Sequence, residues 1–290
     1  MSALLQRRKG VLPYLLLAPG LAWLVIFFLI PLYYMARISL ETGSVFSGYS
    51  FSWHFATYGD ALSTYWPQLE RSLIYALATT GISLLIAYPL AYAIATRGGR
   101  WRNALLLMVI LPFFVTYLVR TLAWETILDD SSFVVNALKT LQIVPSDGRV
   151  LATTGSVIAG LTYNFLPFMI LPLYASLERI DKRMLEAGYD LYGRRRDVFL
   201  RVTFPLSLPG VVAGVLLTFI PAAGDYVNAT LLGSPRQFMI GNVIQSRYLE
   251  LTDYPTAAAL SFVLMAIILV LVAAWAKIAG TESLMGSEAR

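Results

Sequence analysis

Six runs of mostly apolar residues, at roughly 12–36, 72–96, 103–127, 151–177, 207–232 and 256–276, alternate with shorter polar stretches along the chain. A helix needs about 20 such residues to cross about 30 Å of hydrocarbon, so the pattern predicts six transmembrane helices joined by five connections. The first connection, about Arg37 to Leu69, is rich in Ser, Tyr and Trp and long enough for a short interfacial helix. The next, "TRGGRWRN", is a tight basic turn in which Trp101 can anchor at the interface. Between Leu128 and Val150, Ser132 is placed to cap a short helix ending near Leu141, before Pro145 and Gly148 turn the chain. The amphipathic stretch "MIGNVIQSRYLEL" near the last span is expected to lie in the outer interface or to tuck back into the protein.

Several spans carry small residues at helix-face spacing: Ala152, Ser156 and Gly160, then Gly210, Gly214, Thr218 and Ala222. Such faces allow close helix approach and imply a bundle. Pro89, Pro112, Pro167 and Pro221 fall inside spans, where each removes a backbone donor. Membranes tolerate this where neighbours or a cavity satisfy the freed carbonyl, which favours a pathway-lining bundle over an anchor. No repeat or linker interrupts the pattern. The expected organisation is an all-α integral membrane domain over 12–277, with a central loop at 178–204 and tails at 1–11 and 278–290.

Composition agrees. Of 290 residues 58% are apolar and 13% charged, and the mean hydropathy is +0.67, beyond what a soluble domain tolerates. The pI of 9.4 reads as a positive-inside signature and not as nucleic-acid binding. With the N-terminus inside, Arg7–Lys9, Arg97, Arg100, Arg102, the Arg179–Arg201 loop, Lys277 and Arg290 place 15 of the 22 Lys and Arg on the cytoplasmic side. Glu41, Asp60, Asp129, Asp130, Asp147, Glu250 and Asp253 fall opposite, which predicts an N-in, C-in topology. The basic start followed by a long apolar run reads as a retained first helix and not as a cleaved signal.

Missing chemistry narrows the function. There is no cysteine. None of Lys9, Lys139, Lys182 and Lys277 follows a glycine, so no phosphate-binding loop is present and the chain is not its own ATPase. His54, the single histidine, has no ligand partner at metal spacing. No nucleophile triad or carboxylate pair presents itself. Neither an enzyme acting alone nor a cofactor held by this chain is expected.

The densest charge lies in "MLEAGYDLYGRRRDVFLRVTFPLSLPG", Met184–Gly210. As a helix from Ile180, it lines up Ile180, Met184, Ala187 and Leu191 on one stripe, with Arg179, Arg183, Glu186, Asp190 and Arg194 opposite. Gly193 offers a break, and a second short run from Arg195 to Val202 leads to Pro205 and Pro209. Orientation alone would need charge and no apolar stripe, so the loop reads as a cytoplasmic projection.

This loop resembles the EAA loop of the MetI-like permeases of binding-protein-dependent ABC importers: Glu186, Ala187, Phe199, Val202 and Pro205 match in register. Gly188 stands where a second alanine is usual, and Tyr192 occupies the usual glycine position with Gly193 one place later. The stretches "ILPFFVTYLVRTLAWETIL", "YNFLPFMILPLYASLERIDKRMLEAG" and "FIPAAGDYVNATLLG" resemble the first permease of spermidine/putrescine importers. The resemblance implies a permease of the bacterial cytoplasmic membrane that works with a second permease, two ATPases holding ATP and Mg²⁺, and an extracytoplasmic solute-binding protein. It also implies that Glu186, Ala187, Gly188, Tyr192, Gly193, Phe199 and Pro205 form an ATPase-docking knob.

A polycation's path should offer carboxylates and aromatic faces. Asp225, beside Pro221, is the first candidate, because an ionisable side chain inside a span is costly and functional by default. Its structural alternative is an ion pair with Arg120. Glu125, Trp124, Tyr163, Asn164 and Tyr226 follow as second candidates. Arg120 would repel a polycation, so it is expected to be paired or off the path. Within the same family thiamine or ferric ion are alternative solutes. A stand-alone ion-coupled carrier lacks support for want of an internal repeat, and a membrane enzyme or scaffold for want of reactive sets.

Overall fold

Breaks in the helices, more than their lengths, distinguish the architecture from a plain reading of the apolar runs. The computed structural model describes residues 12–278 except Ile143, so the expected tails lie outside the described residues, except for Ile278 itself. The chain forms two compact units, one of residues up to Thr64 with Ser246–Val263, the other of Tyr65–Gln245 with Leu264 onward.

In the first unit, α1 (Leu12–Leu24), a π-helical turn (Val25–Leu29) and α2 (Ile30–Ile38) run together. Residues 16–31 are all exposed, an apolar surface suited to lipid. An interfacial helix was expected next; instead β1 (Glu41–Ser44) and β2 (Gly48–Phe51) form an antiparallel hairpin, Glu41 facing Phe51 and Ser44 facing Gly48. Thr, Gly and Ser are poor helix formers, and the Ser44 and Ser47 hydroxyls, 2.9 Å apart, close the turn instead. Arg37 pairs with Glu41 at 3.5 Å, and Arg247 with Asp253 at 3.1 Å.

From the first unit into the second runs α3 (Ala56–Arg97), which starts well before the expected position 72. After a 3₁₀ turn (Gly99–Trp101) come α4 (Arg102–Ile110), a second 3₁₀ turn (Leu111–Phe114) and α5 (Tyr117–Leu128). The expected single span 103–127 is therefore broken, and its halves meet at 93°. The cause is local: Pro112 lacks a donor, and Val115 and Thr116 take extended backbone, ψ 136 and 146. α6 (Phe133–Thr140) follows with Ser132 as its cap, accepting from the Val135 amide at 3.1 Å, as the sequence predicts. Asp130 bridges Lys139 at 3.5 Å and Arg149 at 3.1 Å across this loop.

The core of the second unit is α7 (Thr154–Glu178) against a helical run made of α9 (Arg195–Val198), a π-helical turn (Phe199–Thr203) and α10 (Phe204–Ala223). Glycines set their spacing: a Cβ on Gly210 would stand 2.5 Å from Ser176 Cβ, and one on Gly214 2.7 Å from Met169 Sδ. One buried cluster joins Ala87, Ala91 and Ile94 of α3 to Met169, Leu173 and Leu177 of α7. Another joins Tyr75 and Ala76 to Leu161, Phe165, Phe219 and Met239. Between α7 and α9 lies α8 (Lys182–Tyr192).

The expected span 207–232 ends at Ala223; after a three-residue break, α11 (Val227–Leu232) continues separately. A 3₁₀ turn (Pro235–Gln237) and α12 (Ile240–Gln245) follow. Met239 and Ile240 are fully buried and the Ile240 amide donates to Ser72 Oγ at 2.7 Å, so this part of the amphipathic stretch tucks inward. A π-helical turn (Ser246–Glu250) leads to α13 (Tyr254–Ile278). Among the described residues five helices are long and apolar enough to cross a membrane, or six if the bent pair is one span.

Candidate functional site

Two groups of side chains in the second unit could carry function, the charged projection and a buried acid.

In the projection, Asp181 caps α8 by accepting from the Arg183 amide at 2.9 Å. The helix ends at Gly193, whose φ of +66 is a left-handed conformation that glycine adopts without strain. α8 then folds back on the following run through Gly188, where a Cβ would stand 3.2 Å from Val202 Cγ2 and 3.3 Å from Val198 Cγ1. The glycine at the usual alanine position is thus the contact point. Because Gly188 sets the inward face, the apolar stripe of Met184, Ala187 and Leu191 turns outward: Met184 and Leu191 are 50% and 78% exposed. Ile180 alone of that stripe is drawn in, against the α3/α7 cluster. Glu186 is exposed too. Phe199 packs edge-on against Tyr88 and Tyr92 of α3, ring centroids 5.7 Å apart in each case, which fixes the root of the projection. Arg201 lies over the Tyr192 ring at 5.0 Å, and Pro205 occupies the first turn of α10. At the root, Arg102 of α4 pairs with Glu178 of α7 at 2.7 Å.

The buried acid is Asp225, in the break between α10 and α11 and 8% exposed. One carboxylate oxygen accepts from the Tyr117 hydroxyl; the other accepts from the Asn228 amide at 2.9 Å and its side chain at 3.3 Å. Asn164 of α7 donates to Asn228 Oδ1 and to Thr121 Oγ1, both at 3.1 Å. The backbone interruptions at Val115–Thr116 and Gly224–Tyr226 therefore meet at one polar patch, the arrangement that places irregular backbone within a bundle only where protein or a cavity satisfies it. Gly160 makes room: a Cβ there would stand 2.7 Å from Asn228 Oδ1 and 2.2 Å from Leu232 Cδ1.

Of the sequence candidates, Asp225 and Asn164 join this network through Asn228. Trp124 and Tyr163 pair with each other, centroids 5.3 Å apart, outside its hydrogen bonds. Glu125 is half-buried and makes no hydrogen bond or ion pair among the described residues. Tyr226 is 46% exposed, and its carbonyl accepts from Asn242 Nδ2 at 3.0 Å and from the Thr230 hydroxyl at 2.8 Å. Tyr117, Thr121 and Asn228 join the network without being sequence candidates; Asn228 carries a local signal, three residues after an acid in a proline-broken span, whereas Tyr117 carries none. The expected alternative, an Asp225–Arg120 ion pair, is not formed. Arg120 is 8% exposed, its guanidinium lies 4.7 Å over Phe113 and 5.9 Å over Tyr117, and its Nε and Nη1 have no hydrogen-bond partner among the described residues.

Apolar helices of membrane-crossing length, two broken helices converging on a buried acid, and a compact polar projection define a membrane permease subunit. The chain belongs to the family described as binding-protein-dependent transport system inner membrane component, whose model matches residues 84–278, a range that holds most of both groups. It is 36% identical over 252 residues to the spermidine/putrescine transport system permease protein PotB of Haemophilus influenzae, covering 86% of this chain and 88% of that one. With PotB of Escherichia coli K12 it shares 34% over 243 residues, 83% of this chain and 88% of the other. Its fold matches a chain of a bacterial alginate ABC transporter in complex with an alginate-bound periplasmic protein, at TM-score 0.69 and 20% identity, over 97% and 98% of the two chains.

Proposed function

We propose that this chain is one of two permease subunits of an ATP-driven importer for polyamines. The observation that carries the substrate class is the 36% identity to a spermidine/putrescine permease across 86% of the chain. Chemistry supports it: Asp225 offers a desolvated carboxylate whose partners, Tyr117 and Asn228, are neutral, so a ligand ammonium could exchange with their donors. Trp124, Tyr163 and Tyr226 would supply aromatic faces and Glu125 a further acid along the path.

Six spans cross the membrane in this reading, the bent pair α4–α5 counting as one, with both termini inside. Charge supports that orientation. Among the described residues, Arg37, Lys139, Arg149 and Arg247 on the outer side are ion-paired and Arg71 and Arg236 are not, whereas Arg194, Arg195 and Arg196 clustered in the projection form no ion pair. The permease domain covers 12–277, with coupling loop 178–204 and cytoplasmic tails 1–11 and 278–290.

Two ATPase subunits would bind ATP and Mg²⁺, with no cofactor in this chain, and would grip the loop through Glu186, Ala187 and the exposed Met184 and Leu191. Gly188, Gly193, Tyr192, Phe199 and Pro205 would hold its shape. A second, related permease would complete the pathway, and an extracytoplasmic binding protein would deliver solute, as the alginate transporter is seen with its periplasmic protein. The test is ATP-dependent uptake of labelled spermidine and putrescine by the assembled complex, with thiamine and ferric ion as rival solutes. Wild type should move polyamine, Glu186→Ala should stop uptake without loss of membrane-inserted complex, and Asp225→Asn should cut it at least tenfold. Uptake of a rival solute instead of polyamine would overturn the substrate class.

A further inference from the structure

Arg120 is a permanently charged side chain buried beside an acid, yet the two do not meet. Its guanidinium is stacked on Phe113 at 4.7 Å and Tyr117 at 5.9 Å, and two of its nitrogens lack partners among the described residues. Asp225 meanwhile is satisfied by Tyr117, by the Asn228 amide and by the Asn228 side chain. Tyr117 belongs to both arrangements, its ring against the cation and its hydroxyl on the carboxylate. Opposite charges in a poorly screened interior gain by pairing, and an unpartnered buried guanidinium is costly. Tyr117 thus touches both charges, and the two are not ion-paired.

Tyr117 and Arg120 stand three residues apart on α5, immediately after the 93° bend, while Asp225 lies on a different broken helix. Both α5 side chains would move together if the bend at Val115–Thr116 opened or closed. A cation held at Asp225 would feel the carboxylate's attraction less the repulsion of the guanidinium on the same tyrosine. A pathway site must bind well enough to load and weakly enough to release.

We propose that Arg120 sets the affinity of the Asp225 site, acting as a like charge that loosens the hold on a transported ammonium so that it can leave. This rests on the polyamine reading above. Arg120 is thus a specificity and release residue of the pathway, and its lack of an acid partner is the working condition of the site.

The test uses the whole complex in nanodiscs without binding protein, to measure equilibrium binding of labelled spermidine, and the same complex with saturating binding protein, to measure turnover. Removing a like charge that shares Tyr117 with the carboxylate, in a partly desolvated site, should tighten binding on the order of tenfold. Arg120→Gln should lower the spermidine Kd by about that factor and slow turnover, whereas Arg120→Lys, which keeps the charge, should stay near the wild-type Kd. Should the glutamine variant fail to assemble, Arg120→Met, which keeps the apolar stem on Phe113, serves the same purpose. A Kd unchanged or raised in an assembled neutral variant overturns the proposal, as does failure of both neutral variants to assemble beside a normal lysine variant, which would make the charge purely structural. A wild-type complex that binds and moves no spermidine sinks the polyamine reading and this proposal together; an unaltered Kd in a working transporter sinks this one alone.

Discussion

Gly160→Ala tests whether close helix packing holds the acid network in place. The added Cβ would stand 2.2 Å from Leu232 Cδ1 and 2.7 Å from Asn228 Oδ1. Leu232 is fully buried and cannot swing into space, and Asn228 is tied to Asp225, Tyr117 and Asn164, so α11 must back away from α7. Overpacking of this kind costs about 1–3 kcal/mol, and the better helix propensity of alanine offsets up to about 1 kcal/mol. The net expected loss is about 0–3 kcal/mol of stability. The larger effect falls on the site: a carboxylate that loses one of its Asn228 bonds loses about 1–3 kcal/mol of support, equivalent to roughly 5- to 150-fold in an equilibrium constant. Gly155→Ala on the same helix is the control, since its Cβ would meet only Thr153 Oγ1, at 3.6 Å. Thermal unfolding of the purified complex and ATP-dependent spermidine uptake are measured for both variants. Gly160→Ala should melt lower than the control and take up about tenfold less substrate. Equal behaviour of the two in both assays would refute the idea that Gly160 positions Asn228.

Three further outcomes follow from the projection. Gly193→Ala forces a left-handed residue with a Cβ, about 1 kcal/mol of strain with no steric clash to confuse it, so binding-protein-stimulated ATPase should fall, and Gly193→Asn should fall less; the reverse order would contradict a backbone cause. Phe199→Ala removes two edge-on ring contacts worth about 0.5–1.5 kcal/mol each beyond their buried area, so hydrogen exchange across 195–203 should quicken, while Phe199→Tyr should not change it. Arg102→Glu and Glu178→Arg should each lower uptake, and the double exchange should restore much of it. Their half-exposed pair is worth only about 0–1 kcal/mol, so melting temperature should barely move, and a double variant no better than the singles would rule out the pair as the tie between the projection and the broken helix.

Much was legible along the chain because the bilayer imposes simple rules. Apolar length gave the helices, Ser132 announced its cap, Gly193 its break, and the register of Glu186, Phe199 and Pro205 the family to which the chain belongs. Asp225 stood out because an acid near the end of an apolar run needs a reason. Those signals are local, readable within a turn or two of helix. What the tertiary structure alone decided was relational. Hydropathy reports only how apolar a segment is, so 103–127 read as one span although Val115 and Thr116 bend it at 93°. Periodicity offers several faces of α8, and only Gly188 settling on Val198 and Val202 determined which turned inward and left Met184 and Leu191 outside. The meeting of Tyr117, Asn164, Asn228 and Asp225, drawn from three separate segments, and the lack of an ion pair between Arg120 and that acid depend on how close Gly160, Gly210 and Gly214 let the helices come. Close approach is a property of two surfaces at once, and no single stretch of sequence contains both.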